Sequence, residues 1–161
     1  MTLKEKIKTL GNLYGVSGDE FAVAQKAAEL LAPYVDKVDI DKFGNVTGYK
    51  SCGKEGAKKL LLDAHIDEIG FLVTGITEEG FLHFMGIGVD QRMLPGSTLN
   101  VMTKKHGNLL GVVGAVPPHL QAPGENTKSL PIEKLYVDLG MPCEKVKEMV
   151  SVGDYMTFTS R

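Results

Sequence analysis

The sequence predicts two units: a partial α/β domain, followed by a small β-rich barrel or sandwich module. Three observations lead there. Apolar residues recur at helical spacing near the N-terminus and lose that period after Asp67. A short apolar run, Leu60-Leu61-Leu62, ends in the polar group Asp63, His65, Asp67 and Glu68. Short strand-like runs separated by glycine-bearing turns then fill the chain from Phe71 onward.

Thr2-x-x-Glu5 reads as a capping box, and Leu3, Ile7, Leu10 and Leu13 follow at helical spacing until Gly15. Ser17-Gly-Asp-Glu20 repeats the capping pattern and predicts a second helix. Its apolar face is Phe21, Ala24, Ala28 and Leu31, and Pro33 closes it. Strands are expected over 35–40 and 46–49, around the turn Lys42-Phe-Gly-Asn45. After a polar loop over 51–56, residues 60–62 have the pattern of a strand buried on both faces. A strand end carrying His and acids, inside an α/β pattern, is where such folds place chemistry.

Gly70 breaks that run. Strands over 71–76 and 81–85 flank Glu78-Glu-Gly80 as a hairpin, and strands over 97–103 and 108–114 flank Lys104-Lys-His-Gly107 as another. A strand over 135–138, a helix over 142–150 with proline in its first turn, and a last strand over 155–159 follow. The division expected is 1–68 for the α/β part, 69–155 for the β-rich module, and 156–161 as the start of a strand returning to the first unit. The stretch 117–131, rich in proline and small polar residues, predicts a long mobile loop.

With 161 residues and a formal net charge of -2, the chain has scattered Lys and Arg and no basic stripe, so neither nucleic acid nor a membrane surface is an expected partner. No apolar run approaches a bilayer span, and Met1-Thr-Leu-Lys-Glu-Lys has no signal-peptide core. Cys52 and Cys143 fit no metal or redox spacing and read as reduced thiols of a cytoplasmic protein.

His65 is the candidate for chemistry. An imidazole two residues from a carboxylate suits a metal ligand, because Asp67 would accept from the other ring nitrogen and fix its orientation. On residue types alone a hydrogen-bonded histidine at a strand end is the plainer reading, and a zinc site needs at least three protein ligands. His83 alternates with apolar neighbours and reads as solvent-facing, His106 falls in a turn, and His119 follows two prolines in the long loop. Asp90-Gln-Arg92 reads as a solvated turn. No nucleophile elbow, P-loop or dinucleotide fingerprint is present.

From Asp63-Ala-His-Ile-Asp-Glu-Ile-Gly-Phe-Leu-Val73 the sequence resembles the glutamyl-aminopeptidase or cellulase-M-like family of co-catalytic metallo-aminopeptidases. Other pieces resemble that family in the right order: Gly15-Val-Ser-Gly-Asp-Glu20, Asp41-Lys-Phe-Gly-Asn-Val46, Gly80-Phe-Leu-His-Phe84 with Gly86-Ile-Gly88, Gly111-Val-Val-Gly114 with Pro117-Pro-His-Leu120, Asp138-Leu-Gly140 and Val152-Gly-Asp154. The likeness covers essentially the whole chain.

The resemblance implies a zinc-peptidase domain interrupted by a β-rich dimerisation module. It implies a two-metal site, zinc or cobalt, and removal of N-terminal residues from peptide substrates by a homo-oligomer. Carried over residue by residue, it makes His65 the first metal-ligating histidine and Asp67 the acid of the catalytic apparatus that orients it. The family's bridging Asp, its Glu pair, a further acidic ligand and its final His have no counterpart here, so the resemblance implies an N-terminal portion of such an enzyme. That portion would be catalytically incomplete and would hold metal weakly or not at all. Two helices and a few strands cannot cover both faces of a central strand, so this half-domain is expected to expose apolar surface or bury it against a partner. Two rivals remain at this point: an assembly or binding module derived from the family, and a glucan hydrolase. The second would need paired acids across a cleft that the sequence does not offer.

Overall fold

In the computed structural model, which describes residues 1–120 and 130–159, the chain divides into units 1–68 and 69–161. The first unit is α/β and the second is built on a closed six-stranded barrel. The loop expected over 117–131 has its centre, 121–129, outside the described residues.

Helix α1 (Leu3–Gly11) starts on the capping box expected of it. Glu5 N–H donates to Thr2 Oγ1 at 3.3 Å and Thr2 N–H donates to Glu5 Oε2 at 2.7 Å. Helix α2 (Phe21–Leu31) runs into a 3₁₀ turn at Ala32–Tyr34, where Pro33 cannot continue the α-helical ladder. Its buried residues are Val23 and Ala24; Phe21, expected on the packed face, is the first helical residue and is exposed. Strands β1 (Lys37–Ile40) and β2 (Val46–Tyr49) form an antiparallel hairpin. The Asp41 carboxylate closes its turn by accepting from the Phe43 and Asn45 N–H groups, each at 2.9 Å. Positive φ falls on Gly44 alone in that turn. Helix α2 packs on the hairpin at Gly48, where a β-carbon would stand 2.6 Å from Leu31 Cδ2.

The central strand expected at 60–62 does not form. Residues 57–67 have no regular structure, and Leu60, Leu61 and Leu62 are 85%, 83% and 86% exposed. A strand buried on both faces needs a paired strand on each side and cover above and below. Among the described residues of this unit the only sheet is the β1–β2 hairpin, which pairs with itself. The apolar surface that the half-domain was expected to expose includes the leucine run, with Ile7, Phe21 and Phe43 exposed as well.

The second unit contains β3 (Gly70–Ile76), β4 (Leu82–Ile87), β5 (Thr98–Thr103), β6 (Gly107–Ala115), β7 (Leu135–Asp138), helix α3 (Cys143–Met149) and β8 (Tyr155–Phe158). The strands close in the order β3-β4-β7-β6-β5-β8, every pairing antiparallel. Closure leaves no free edge to recruit another chain. Alternate residues turn inward: Phe71 and Val73, Leu82 and Phe84, Leu99 and Val101, Leu135 and Val137. Phe71 lies at the centre, edge-on to Phe84 at 5.5 Å and to Phe158 at 5.3 Å between ring centroids.

Residues 156–161 are expected at the start of a strand leading back to the first unit, whereas 156–158 belong to β8, which closes the barrel between β3 and β5. Burial explains the difference: Met156 and Thr157 are inside, and the ladder is already set by Val73 N–H donating to the Asp154 carbonyl and Gly153 N–H donating to the Val73 carbonyl, both at 2.9 Å. No helix among the described residues is long and apolar enough to cross a membrane.

Candidate functional site

The site is assembled by a stitch between two distant parts of the first unit. Val16 and Glu68 form an isolated parallel bridge: Glu68 N–H donates to the Gly15 carbonyl at 2.7 Å and Ser17 N–H to the Glu68 carbonyl at 3.3 Å. The Glu68 carboxylate accepts from Gly15 N–H at 3.2 Å. Gly15 is required where it stands, since a β-carbon would meet Val23 Cγ2 at 2.5 Å. Val16 is fully buried and anchors the turn to the unit's small core.

The stitch delivers Ser17 and Asp67 to each other. The Ser17 hydroxyl donates to Asp67 Oδ2. Asp67 Oδ1 lies 2.9 Å from His65 Nδ1, and the Asp67 carbonyl lies 3.1 Å from the same nitrogen. A carboxylate and a carbonyl only accept, so Nδ1 carries the hydrogen and, in the neutral ring, Nε2 carries the lone pair. The His65 side chain is 86% exposed, and Nε2 makes no hydrogen bond among the described residues. The Ser17 hydroxyl first, and then His65, hold the Asp67 carboxyl below the usual carboxylate range.

His65 therefore has the geometry of a one-nitrogen metal ligand with its opposite face fixed by a carboxylate. It does not sit at the end of a buried strand, as the leucine run suggested, but on exposed irregular chain. Among the described residues no group of three His, Cys, Asp or Glu is placed to hold a metal ion. One oriented imidazole fits a metal's coordination shell; the set needed to hold a hydrolytic metal is not assembled from these residues. Both oxygens of Asp67 are engaged, which suits orienting a ring and not exchanging protons with substrate.

Ser17 does not do what its sequence context predicts. Helix α2 begins at Phe21, later than the capping pattern suggested, with Glu20 at its N-cap and no side-chain cap, and the Ser17 hydroxyl donates to Asp67 instead. The other histidines lie away from this cluster in sequence and on the surface: His83 faces outward from β4, His106 is in the β5–β6 turn, and His119 is exposed in the turn Pro118–Leu120. Asp90 caps a 3₁₀ turn and pairs with Arg92, which brings its carboxyl down to about 2. Glu78 and Glu79 are exposed in the β3–β4 turn.

Comparison with known proteins adds the following. The sequence profile described as M42 glutamyl aminopeptidase matches residues 44–161. The lysyl aminopeptidase of Pyrococcus furiosus is 33% identical over 149 residues, covering 90% of this chain and 42% of that protein. An aminopeptidase of the archaeon Desulfurococcus kamchatkensis superposes with a TM-score of 0.86 at 38% identity, over 96% of this chain and 42% of its own. The TET1 peptidase of Pyrococcus horikoshii, whose structure is described as assembling into a tetrahedron or a large octahedral shell, superposes with a TM-score of 0.78 at 36% identity, over 98% and 47%. The chain thus spans less than half the length of the relatives it matches.

Proposed function

The chain belongs to the M42 glutamyl aminopeptidase family, and on that premise we propose that it forms part of a metal-dependent enzyme removing N-terminal residues from peptides. The observation that carries the proposal is the His65–Asp67 pair: a ring whose Nδ1 is held between two acceptors and whose Nε2 is open. In this reading His65 is one metal ligand and Asp67 fixes its tautomer and direction. A divalent metal, zinc or cobalt, would polarise the scissile carbonyl and acidify the attacking water. Among the described residues no three His, Cys, Asp or Glu are grouped to hold a metal, so these residues alone support no hydrolytic step.

The test is release of nitroaniline from aminoacyl-nitroanilides with added zinc or cobalt. The 161-residue chain alone is expected to be inactive. Joined to the unmatched portion of a relative such as the P. furiosus enzyme, it should turn over and lose that activity in His65→Ala. Metal-dependent release by the chain alone, lost in His65→Ala, would refute the incompleteness of the site.

A second reading has its own observation. The barrel closes on itself while the first unit leaves 57–67 unpaired, so the barrel is the self-sufficient part and the chain serves as an assembly module. Both readings include a homo-oligomer, supported by the exposed leucine run and by the assembly described for the P. horikoshii relative.

A further inference from the structure

We propose that Ser17 is a positioning residue of this site, holding Asp67 in the rotamer that fixes the His65 ring. The argument starts from exposure. His65 lies on irregular chain with 86% of its side chain in solvent, so packing does not hold the ring. What holds it is the pair of acceptors on Asp67, one of them the carboxylate oxygen Oδ1. That carboxylate is itself more than a third exposed and free to rotate about its last torsion unless its other oxygen is held. The Ser17 hydroxyl, from the other side of the stitch and 50 residues away in sequence, holds it. The turn bearing Ser17 is fixed in turn by its bridge to Glu68 and by buried Val16. The helix begins at Phe21 with Glu20 at its N-cap, so Ser17 stands outside the capping position and its hydroxyl is available to Asp67. The chain of hydrogen bonds runs Ser17 Oγ to Asp67 Oδ2, then Asp67 Oδ1 to His65 Nδ1, and leaves Nε2 outward.

The consequence for catalysis rests on the peptidase reading, but the test does not. Imidazole ¹⁵N spectra of the full chain, recorded above the pH at which the ring protonates, report which ring nitrogen carries the hydrogen. Wild type should show His65 predominantly in the Nδ1–H form. Ser17→Ala should move His65 towards the Nε2–H form that a free ring prefers, with barrel amide signals unchanged. Ser17→Thr, which keeps the hydroxyl, should retain the wild-type spectrum, and Ser17→Cys, a weaker donor, should fall between. The Thr and Cys variants carry the comparison if the alanine variant does not fold. An unchanged His65 tautomer in folded Ser17→Ala, or identical spectra for Thr and Cys, would overturn the proposal. Because the readout is a tautomer and not turnover, a negative result leaves the peptidase reading standing, and an inactive enzyme leaves this one standing.

Discussion

Gly111 lies so close under Val137 that a β-carbon at Gly111 would stand 2.4 Å from Val137 Cγ1 and 3.0 Å from Leu139 Cδ2. Val137 is fully buried and β-branched, so it has no alternative rotamer to retreat into. The β6–β7 pairing of the barrel depends on this missing side chain. Gly111→Ala is expected to destabilise the second unit by about 1–3 kcal/mol, the usual cost of overpacking, seen as a lower denaturant midpoint. An unchanged midpoint would show that the barrel wall yields at β7.

The barrel core and the leucine run should respond oppositely to truncation. Phe71 is fully buried between Phe84 and Phe158, and Phe71→Ala is expected to cost about 3–5 kcal/mol or to unfold the barrel. Leu61 is 83% exposed, and at protein concentrations too low for association Leu61→Ala should leave stability within ~0.5 kcal/mol. A large loss at Leu61 would mean that residues 60–62 are covered in solution.

At higher concentration a second copy is expected to cover the leucine run. Light scattering at tens of micromolar protein, about the range of ordinary interface affinities, should show a dimer or larger species. Replacing Leu60, Leu61 and Leu62 together with serine should shift it towards monomer. A clean monomer of the unmodified chain would count against the exposed run as an association surface.

Asp90 gives a pH dependence with a definite sign. The Arg92 side chain, its backbone N–H adding to it, lowers the Asp90 carboxyl from 3.8 to about 2. A carboxyl lowered in the folded state stabilises that state above its unfolded value, near 3.8, and the benefit disappears as pH falls from there towards 2. Carboxyl ¹³C titration should place the Asp90 midpoint near that lower value and return it towards 3.8 in Arg92→Ala. Identical midpoints in the two proteins would remove the ion pair from the account.

The sequence made most of the barrel legible because its signals are local. Alternation in Leu82-His-Phe-Met85, glycine in the turns and proline before α3 each act within a few residues. The first capping box was legible for the same reason. Residues 60–62 misled because an apolar run reports the burial a strand would need, whereas forming the strand requires neighbours on both sides that the first unit does not provide. The strand at 155–159 is legible, but its place in the barrel beyond residue 155 is not, because that depends on pairing with β3 and β5, far away in sequence. At the site, His65 and Asp67 were visible as a short motif and through the family resemblance. The Ser17-Gly-Asp-Glu20 spacing suggests a capping box, but the helix begins only at Phe21 and the Ser17 hydroxyl serves a carboxylate 50 residues on. The one available clue was that Ser17 lies inside the Gly15–Glu20 segment that resembles the family.

The described residues offer a metal one oriented nitrogen and no complete binding set. Zinc titration of the purified chain, followed by calorimetry and by imidazole ¹⁵N signals, tests it most directly. The account predicts binding weaker than about 1 μM, with His65 perturbed through Nε2 ahead of His83 and His106, and that response lost in His65→Ala. One zinc per chain held well below micromolar, and released by His65→Ala, would contradict it.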